Sequence, residues 1–167
     1  MDVFTIRCFP DSGLKHPTHP LTGIEDAHRR FVDRLIVTMR AHPRCVGLAA
    51  PQVGSTLRIA VMESSNHPTV TTSQGLIVLV NPNITAREGT TVQREGCLSI
   101  PDLTANVQRA TRVTVRALNQ FGDVQEWRLE GFEAIIAQHE IDHLDGTLFL
   151  DRVANLTTDV FRRKRYG

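Results

Sequence analysis

The sequence is poor in the features that mark secreted, membrane-spanning and nucleic-acid-binding proteins. Three cysteines, an odd number at wide spacing, do not predict a disulfide framework. The strongly apolar runs, such as Leu76 to Val80, are far shorter than the ~20 residues of a transmembrane helix, so no membrane span is expected. With 19 basic and 18 acidic residues, the formal charge of +1 gives no global attraction to nucleic acid or to a membrane surface. Partners must therefore be inferred from local features.

The sequence also lacks a secretory signal and any sign of division into domains. Its first residues, MDVFTIRCFPDSG, contain an early acid and no basic leader before an apolar block. We therefore expect a cytoplasmic protein, with an organelle as the alternative location. There is no repeat, low-complexity tract or long linker, and 41% of the 167 residues are hydrophobic, which suffices for one core. Residues 1–167 are predicted to form a single domain.

Hydrophobic periodicity predicts helix, then strands, then helix. Apolar residues recur at helical spacing between Ile24 and Ala41, after a Thr22–Glu25 pair that resembles a capping box, which indicates an amphipathic helix. Short β-branched runs predict strands at 57–63, 75–86, 91–99, 112–119 and 124–131, and NQFGD at 119–123 is typical of a hairpin loop. A second helix is expected from about Glu130 to Leu144. This order predicts an α+β fold with antiparallel strands.

The stretch QHEIDHLDG, residues 138–146, places two histidines on the second helix. His139 and His143 lie one turn apart, about 40° around the helix axis, and can therefore bind one ion. Apolar Phe132, Ile135 and Ile136 share that face, which is expected to point inward. Glu140 lies on the flank, close enough to contact a reacting water and transfer its proton. The alternative is a surface pair of histidines with chance spacing.

Two histidines leave a catalytic metal site incomplete, because such sites usually have three protein ligands and one open position. The 24 residues after His143 contain no histidine or glutamate, which leaves Asp145, Asp151 and Asp159 downstream. Upstream, EGCLS places Cys97 at the end of a predicted strand and beside a glycine, and Cys97 is the best candidate. A thiolate with two imidazoles suits zinc or ferrous iron.

Three segments together resemble the motifs of the peptide deformylase family: CVGLAAPQ at 45–52, EGCLS at 95–99 and QHEIDHLDG at 138–146. The resemblance runs from about Phe9 to about Val153 and keeps the order and spacing of the family. It implies removal of the N-formyl group from nascent formyl-methionyl peptides, and a fold in which antiparallel strands surround the HExxH helix. It also implies one divalent metal ion, ferrous iron in the cell, with zinc, nickel or cobalt able to replace it.

The resemblance assigns roles residue by residue. The metal ligands would be Cys97, His139 and His143, and Glu140 would be the general acid and base. Gln52 and the backbone N–H of Leu98 would bind the oxyanion. An apolar pocket for the methionine side chain would be formed by Val46, Phe132, Ile135 and Ile136, although ordinary core packing is an equal alternative for each. Gly47 matches a position whose backbone pairs with the peptide.

The sequence departs from the family pattern at Cys45 and at Gln108, where the family commonly has proline, and adds one basic segment. Cys45 stands where the first motif usually has glycine, so its thiol is a minor candidate for a second sulfur near the metal. Arg109 matches an arginine that usually pairs with Glu95. The cluster Arg162, Arg163, Lys164 and Arg165 is either a solvated tail or a contact for ribosomal RNA phosphates near the exit tunnel.

Two other functions compete with deformylation. A metallopeptidase would share the HExxH helix but would not need Cys97. A deformylase-like protein that binds nascent N-termini without turnover is the second alternative. The presence of Glu140, Gln52 and Leu98 argues against it.

Overall fold

The computed structural model describes residues 1–164, which form two α-helices, eight β-strands and four short 3-10 helices. In chain order the helices and strands are α1 (Asp26–Ala41), β1 (Gly47–Ala49), β2 (Ile59–Met62), β3 (Ile77–Glu88), β4 (Thr91–Cys97), β5 (Ile100–Arg109), β6 (Arg112–Leu118), β7 (Val124–Glu130), α2 (Gly131–Leu144) and β8 (Val160–Arg162). The 3-10 helices cover Ser12–Lys15, Ala50–Val53, Ser64–Asn66 and Phe149–Arg152.

The strands form two antiparallel sheets. One has five strands in the order β1-β2-β3-β6-β7, and the other has three in the order β4-β5-β8. The predicted hairpin at 119–123 joins β6 to β7, where the Asn119 N–H donates to the Asp123 carbonyl at 3.0 Å. The antiparallel α+β class is thus confirmed.

The five-stranded sheet packs a helix on each face because its central strands alternate in side-chain direction. In β2, Ala60 and Met62 pack with α2, whereas Ile59 and Val61 pack with α1. Ile77 and Leu79 in β3 join the α2 side, and Val78 and Val80 join the α1 side. The two faces therefore form two separate hydrophobic clusters.

Helix α2 also contacts the smaller sheet. Its apolar residues Ala134, Ile136, Ala137 and Ile141 pack on the five-stranded sheet. On its other side, His139 and His143 contact residues of β4. The helix thus brings polar side chains to a largely buried region between the two sheets.

Several boundaries differ from the sequence prediction. Strand β5 was not predicted, because Pro101 and the polar residues after it are typical of a loop. The strands β1 and β8 have three residues each, too few for a periodic pattern. Strand β4 ends at Cys97 instead of continuing to 99, and Leu98 and Ser99 form the turn into β5.

Helix α1 begins at Asp26, not at Ile24, and its cap differs from the predicted pair. The Glu25 N–H donates to Nδ1 of His28 at 3.0 Å, so the imidazole of His28 satisfies the donor that the predicted Thr22–Glu25 box would have used. Within residues 1–164, no helix combines the length and the hydropathy needed to cross a bilayer.

Candidate active site

Helix α2 and the end of β4 bring together three side chains that can bind one metal ion. The ligand atoms of Cys97, His139 and His143 lie within 4.8 Å of one another. Cys97 Sγ is 3.3 Å from Nε2 of His143, and the two imidazole rings have centroids 4.9 Å apart. Burial raises the pKa of the Cys97 thiol, but the adjacent imidazoles outweigh burial and hold that pKa well below its ordinary value. This donor set suits zinc or ferrous iron.

The aspartates left open as downstream ligands are engaged elsewhere. Asp145 pairs with Arg58 at 2.8 Å, Asp151 pairs with Lys15, and Asp159 accepts from Asn106. Cys97 is therefore the residue that the fold places beside the two histidines.

A carboxylate fixes the orientation of His139. Nδ1 of His139 is 2.8 Å from Oε1 of Glu95, which leaves Nε2 of the same ring directed at the thiolate. Metal-binding histidines commonly have such a carboxylate on the second ring nitrogen. Burial alone would raise the pKa of Glu95, but its hydrogen bonds with Arg109 and His139 lower it to about 2.

Arg109 connects this carboxylate to helix α2. Its Nε and Nη2 donate to Glu95 at 2.7 and 2.9 Å, which confirms the predicted pair. Its Nη1 donates at 2.5 Å to Asp142, which also accepts two hydrogen bonds from Arg152. The sequence prediction missed Asp142, although its place directly before His143 in the motif was a usable signal.

Glu140 is buried and does not belong to the ligand cluster. Its Oε2 has no hydrogen-bond partner among residues 1–164. Burial raises the pKa of Glu140 to about 7, against the opposing effect of the two imidazoles. An unpaired buried carboxylate beside a metal-binding donor set fits a group that exchanges protons with a reacting water.

Gly47 provides the space for that carboxylate. A Cβ built on Gly47 would lie 2.6 Å from Oε1 and 2.8 Å from Cδ and Cγ of Glu140. Glycine is therefore required here by close approach, whether or not its backbone also pairs with a peptide.

Replacing Gly47 by alanine should displace the Glu140 carboxylate and reduce turnover, by up to about 100-fold if the carboxylate moves by 1 Å. Formate release from a formyl-methionyl peptide, the substrate that the family resemblance implies, measures the effect. Gly23→Ala is the matched control, because a Cβ there meets no atom within 4 Å. Equal turnover in the two variants would show that Glu140 does not need this space.

Gln52 and Leu98 flank the thiolate. The Gln52 Oε1 accepts from the Ala49 N–H at 3.0 Å, while its Nε2 lies 3.3 Å from Cys97 Sγ and 3.1 Å from the Ser99 hydroxyl. These contacts aim the Gln52 amide group at the metal-binding cluster. The Leu98 N–H lies in the turn after Cys97 and has no acceptor among the described residues. Ser99, fully buried, was missed as a partner of Gln52.

A cavity of about 1010 Å³ opens beside these groups, and all five predicted pocket residues line it, namely Val46, Gly47, Phe132, Ile135 and Ile136. Two of them have a second role, because Ile136 and Val46 also pack in the core under the five-stranded sheet. Phe132 does not point inward as predicted. It is 41% exposed at the first turn of α2, with its ring 5.8 Å from that of His67.

Cys45 is not a further ligand in this arrangement. Its thiol donates to the Gly47 carbonyl at 3.2 Å, and burial and the nearby Glu140 raise its pKa to about 12. The backbone at position 45 does not require glycine, because the residue with a positive φ, of 65°, is the neighbouring Arg44. Cys45 in place of glycine is harmless to the backbone.

The basic C-terminal segment is partly built into the site. Arg162 ends β8, and Nη1 of Arg163 lies 3.4 Å from the Cys97 carbonyl oxygen, although both residues are exposed to solvent, as a solvated segment would be. Lys164 is exposed, and Arg165 lies outside the described residues.

Comparison with known proteins agrees with this geometry. The family model of polypeptide deformylase matches residues 3–159. A peptide deformylase of Thermodesulfovibrio yellowstonii is 39% identical over 98% of this chain and 97% of its own length, and one of Halothermothrix orenii is 43% identical over 93% and 97%. The crystal structure of a peptide deformylase from Legionella pneumophila superimposes with a TM-score of 0.84 at 37% identity, covering 93% of this chain and 88% of that one. The chain belongs to the peptide deformylase family, the enzymes that remove the N-formyl group from nascent polypeptides.

Proposed function

We propose that the cavity beside α2 is the deformylation site, with Cys97, His139 and His143 as the ligands of one divalent metal ion and Glu140 as the proton carrier. The observation that carries this proposal is the buried Glu140 carboxylate, whose Oε2 is unpaired among the described residues and lies beside a His₂Cys donor set. Residues 1–167 would act as one catalytic domain, with the HExxH helix as its central element.

Glu140 performs the proton transfers in this mechanism. A bound divalent ion would supply Lewis acidity toward the attacking water and the formyl carbonyl. Glu140 removes the proton from that water and later returns it to the departing methionine nitrogen, so that formate and a free amino terminus leave. A pKa raised by burial toward neutral pH suits a group that must both accept and donate.

Gln52 and Leu98 stabilise the negative charge that develops on the formyl oxygen. Hydrogen bonds with Ala49 and Ser99 fix the orientation of the Gln52 amide before the substrate binds. The Leu98 N–H has no acceptor among the described residues and can donate to the substrate. Groups fixed before the reaction need no reorganisation as charge develops, and one such donor typically contributes ~2.7–4 kcal/mol to lowering the barrier.

The substrate would enter the cavity with its methionine side chain against Ile135, which belongs to none of the three core clusters and is thus available to a ligand. Phe132, at the mouth, would cover that side chain, and Val46 and Ile136 would form its floor. The Gly47 backbone would form main-chain hydrogen bonds with the peptide. Such pairing recognises the peptide backbone and therefore tolerates varied side chains.

We propose ferrous iron as the cellular metal and zinc, nickel or cobalt as replacements, because a thiolate with two imidazoles accepts several divalent ions. We propose a cytoplasmic location, because the enzyme would act on chains that emerge from a bacterial-type ribosome.

The function is tested by formate release from a formyl-Met-Ala-Ser peptide after anaerobic purification with iron. We expect turnover of this peptide and none of acetyl-Met-Ala-Ser. A metallopeptidase would instead cleave an internal bond of a longer peptide, and a binding protein would retain the formyl peptide unchanged. Absence of formate from the metal-loaded protein would refute the proposed function.

Cys97→Ala should lose the metal. Loss of a group that only orients a metal ligand weakens metal binding about 10- to 100-fold. Loss of a ligand itself should therefore weaken metal binding more than about 100-fold. Metal analysis and chelator competition measure this, with the buried Cys45→Ala as control. A Cys97→Ala protein that keeps stoichiometric metal and cleaves peptides would favour the metallopeptidase.

We further propose that Lys164 and Arg165 contact ribosomal RNA. Lys164 is exposed at the end of β8, where a phosphate can reach it. Neutralising both by Lys164→Gln and Arg165→Gln should reduce co-sedimentation with ribosomes at low salt, and deformylation is measured in parallel because Lys164 also lines the cavity. Unchanged co-sedimentation would contradict this contact. Truncation from residue 161 would not be a clean test, since it also removes Arg162 and Arg163.

A further inference from the structure

The Leu98 N–H shares one peptide group with the carbonyl of Cys97. A trans peptide is planar, so its C=O and N–H point in opposite directions. Whatever holds the Cys97 oxygen on one side of this group therefore sets the direction of the Leu98 N–H on the other side. The turn between β4 and β5 leaves that N–H without an acceptor among residues 1–164.

Arg163 holds the oxygen side. Its Nη1 donates to the Cys97 carbonyl at 3.4 Å. The guanidinium lies beside Gly96, where a Cβ would stand 2.7 Å from Nη2 and would force the guanidinium to shift. The backbone of Arg163 is fixed as well, because its N–H donates to the Asp102 carbonyl at 2.9 Å, next to the pairing of Leu103 with Arg162.

The opposite side of the turn is braced by the segment 7–9. The Phe9 N–H donates to the Ser99 carbonyl at 2.8 Å, and the Arg7 N–H donates to the Gln52 carbonyl at 2.7 Å. The same short segment thus holds both elements that carry the oxyanion donors. Arg163 supplies a charged contact to the Cys97 carbonyl at the start of this turn.

We propose that Arg163 is a positioning residue that aims the Leu98 N–H into the cavity and strengthens it as an oxyanion donor. This inference rests on the proposed function. A cation at the carbonyl end polarises the peptide group, and hydrogen bonds in series reinforce one another, so the N–H at the other end carries more positive charge. The segment that follows β8 would thereby act in catalysis without contacting the reacting atoms.

The kinetic test compares Arg163→Ala, Arg163→Gln and Arg163→Lys in the metal-loaded enzyme. Arg163→Ala should lower kcat about 10-fold with KM nearly unchanged, a smaller loss than the ~100- to 1,000-fold caused by removing a whole donor. Gln, which can donate but is neutral, should be intermediate, and Lys, which keeps the charge, should restore most of the activity. Arg116→Ala, an exposed arginine on β6, is the control and should match the wild type.

A second readout does not depend on turnover. In the zinc-loaded protein, the amide proton of Leu98 should shift upfield in Arg163→Ala and return toward the wild-type position in Arg163→Lys, while amides of α1 stay unchanged. If Arg163 had only a structural role, the chemical shifts of many amides would change together, and Arg163→Lys would not restore the Leu98 shift.

The outcomes separate this inference from the proposed function. A wild-type enzyme that releases no formate would refute the function. An active wild type with an equally active Arg163→Ala, or with a raised KM at unchanged kcat, would overturn the role of Arg163 alone. If Arg163→Ala does not fold, the test uses Arg163→Gln. A wild-type kcat and an unshifted Leu98 amide in Arg163→Gln would overturn the proposal.

Discussion

Glu140→Gln should lower kcat for deformylation by about 100- to 10,000-fold, the usual contribution of a positioned acid and base. Glutamine keeps the volume of the side chain in a site where Gly47 leaves little spare room, but it cannot accept the proton of the attacking water. Formate release under single-turnover conditions measures the loss.

The physical reason lies in the surroundings of this carboxylate. Glu140 is buried, yet its Oε2 has no hydrogen-bond partner among residues 1–164. A buried carboxyl oxygen without a hydrogen-bond partner destabilises the folded protein, so its presence indicates a functional role. The same burial raises its pKa to about 7, so the acid and base forms are close in free energy at neutral pH. A reacting water is the partner that this arrangement fits.

The controls separate chemistry from metal loss. Glu140→Gln should retain its metal, because the proposed ligands are Cys97, His139 and His143 and do not include Glu140. Glu126→Gln, an exposed glutamate on β7, should have wild-type activity. A metal-loaded Glu140→Gln enzyme within about 10-fold of the wild type would remove Glu140 from the proposed mechanism.

The sequence predicts the parts of the site that lie in short segments. His139, Glu140 and His143 have fixed relative positions because one helix carries them, and Cys97 was found because a strand and a glycine mark its place. The long-range partners were less visible. Arg109 could be paired with Glu95 only through family resemblance, and nothing local indicates that the same guanidinium also bonds Asp142.

The same distinction applies to the fold. Helix α2 and the hairpin at 119–123 follow from local patterns, whereas β5 depends on pairing with β4 and β8 on its two sides. Its polar sequence becomes a strand because those neighbours satisfy its backbone. Strand β8 could not be predicted from three residues in a basic segment, so Arg163 was expected either in a solvated tail or in contact with ribosomal RNA.

Arg109→Met should destabilise the protein by about 3–5 kcal/mol, the usual effect of removing one partner from a buried ionic network. Arg109 is 5% exposed and makes three hydrogen bonds to two carboxylates, Glu95 and Asp142. Methionine has a similar length, so the loss reflects unpaired charge and not a cavity. Chemical denaturation of the zinc-loaded protein measures the free energy of unfolding.

Arg112→Met is the matched control for this change. Arg112 follows closely in the chain but is exposed, with carboxylates of Glu88 and Glu130 at 3.7 and 3.3 Å, and such surface pairs contribute only about 0–1 kcal/mol. Adding Glu95→Gln to Arg109→Met should recover part of the stability, because it removes the charge of the carboxylate that loses both of its hydrogen bonds from Arg109. The experiment is repeated with metal-free protein, since metal binding itself stabilises the folded state. If the Arg109→Met effect vanished there, Arg109 would act only through the metal site, by way of Glu95 and His139. If it persists, as we expect, the same ion pairs that orient a metal ligand also hold α2 against the smaller sheet.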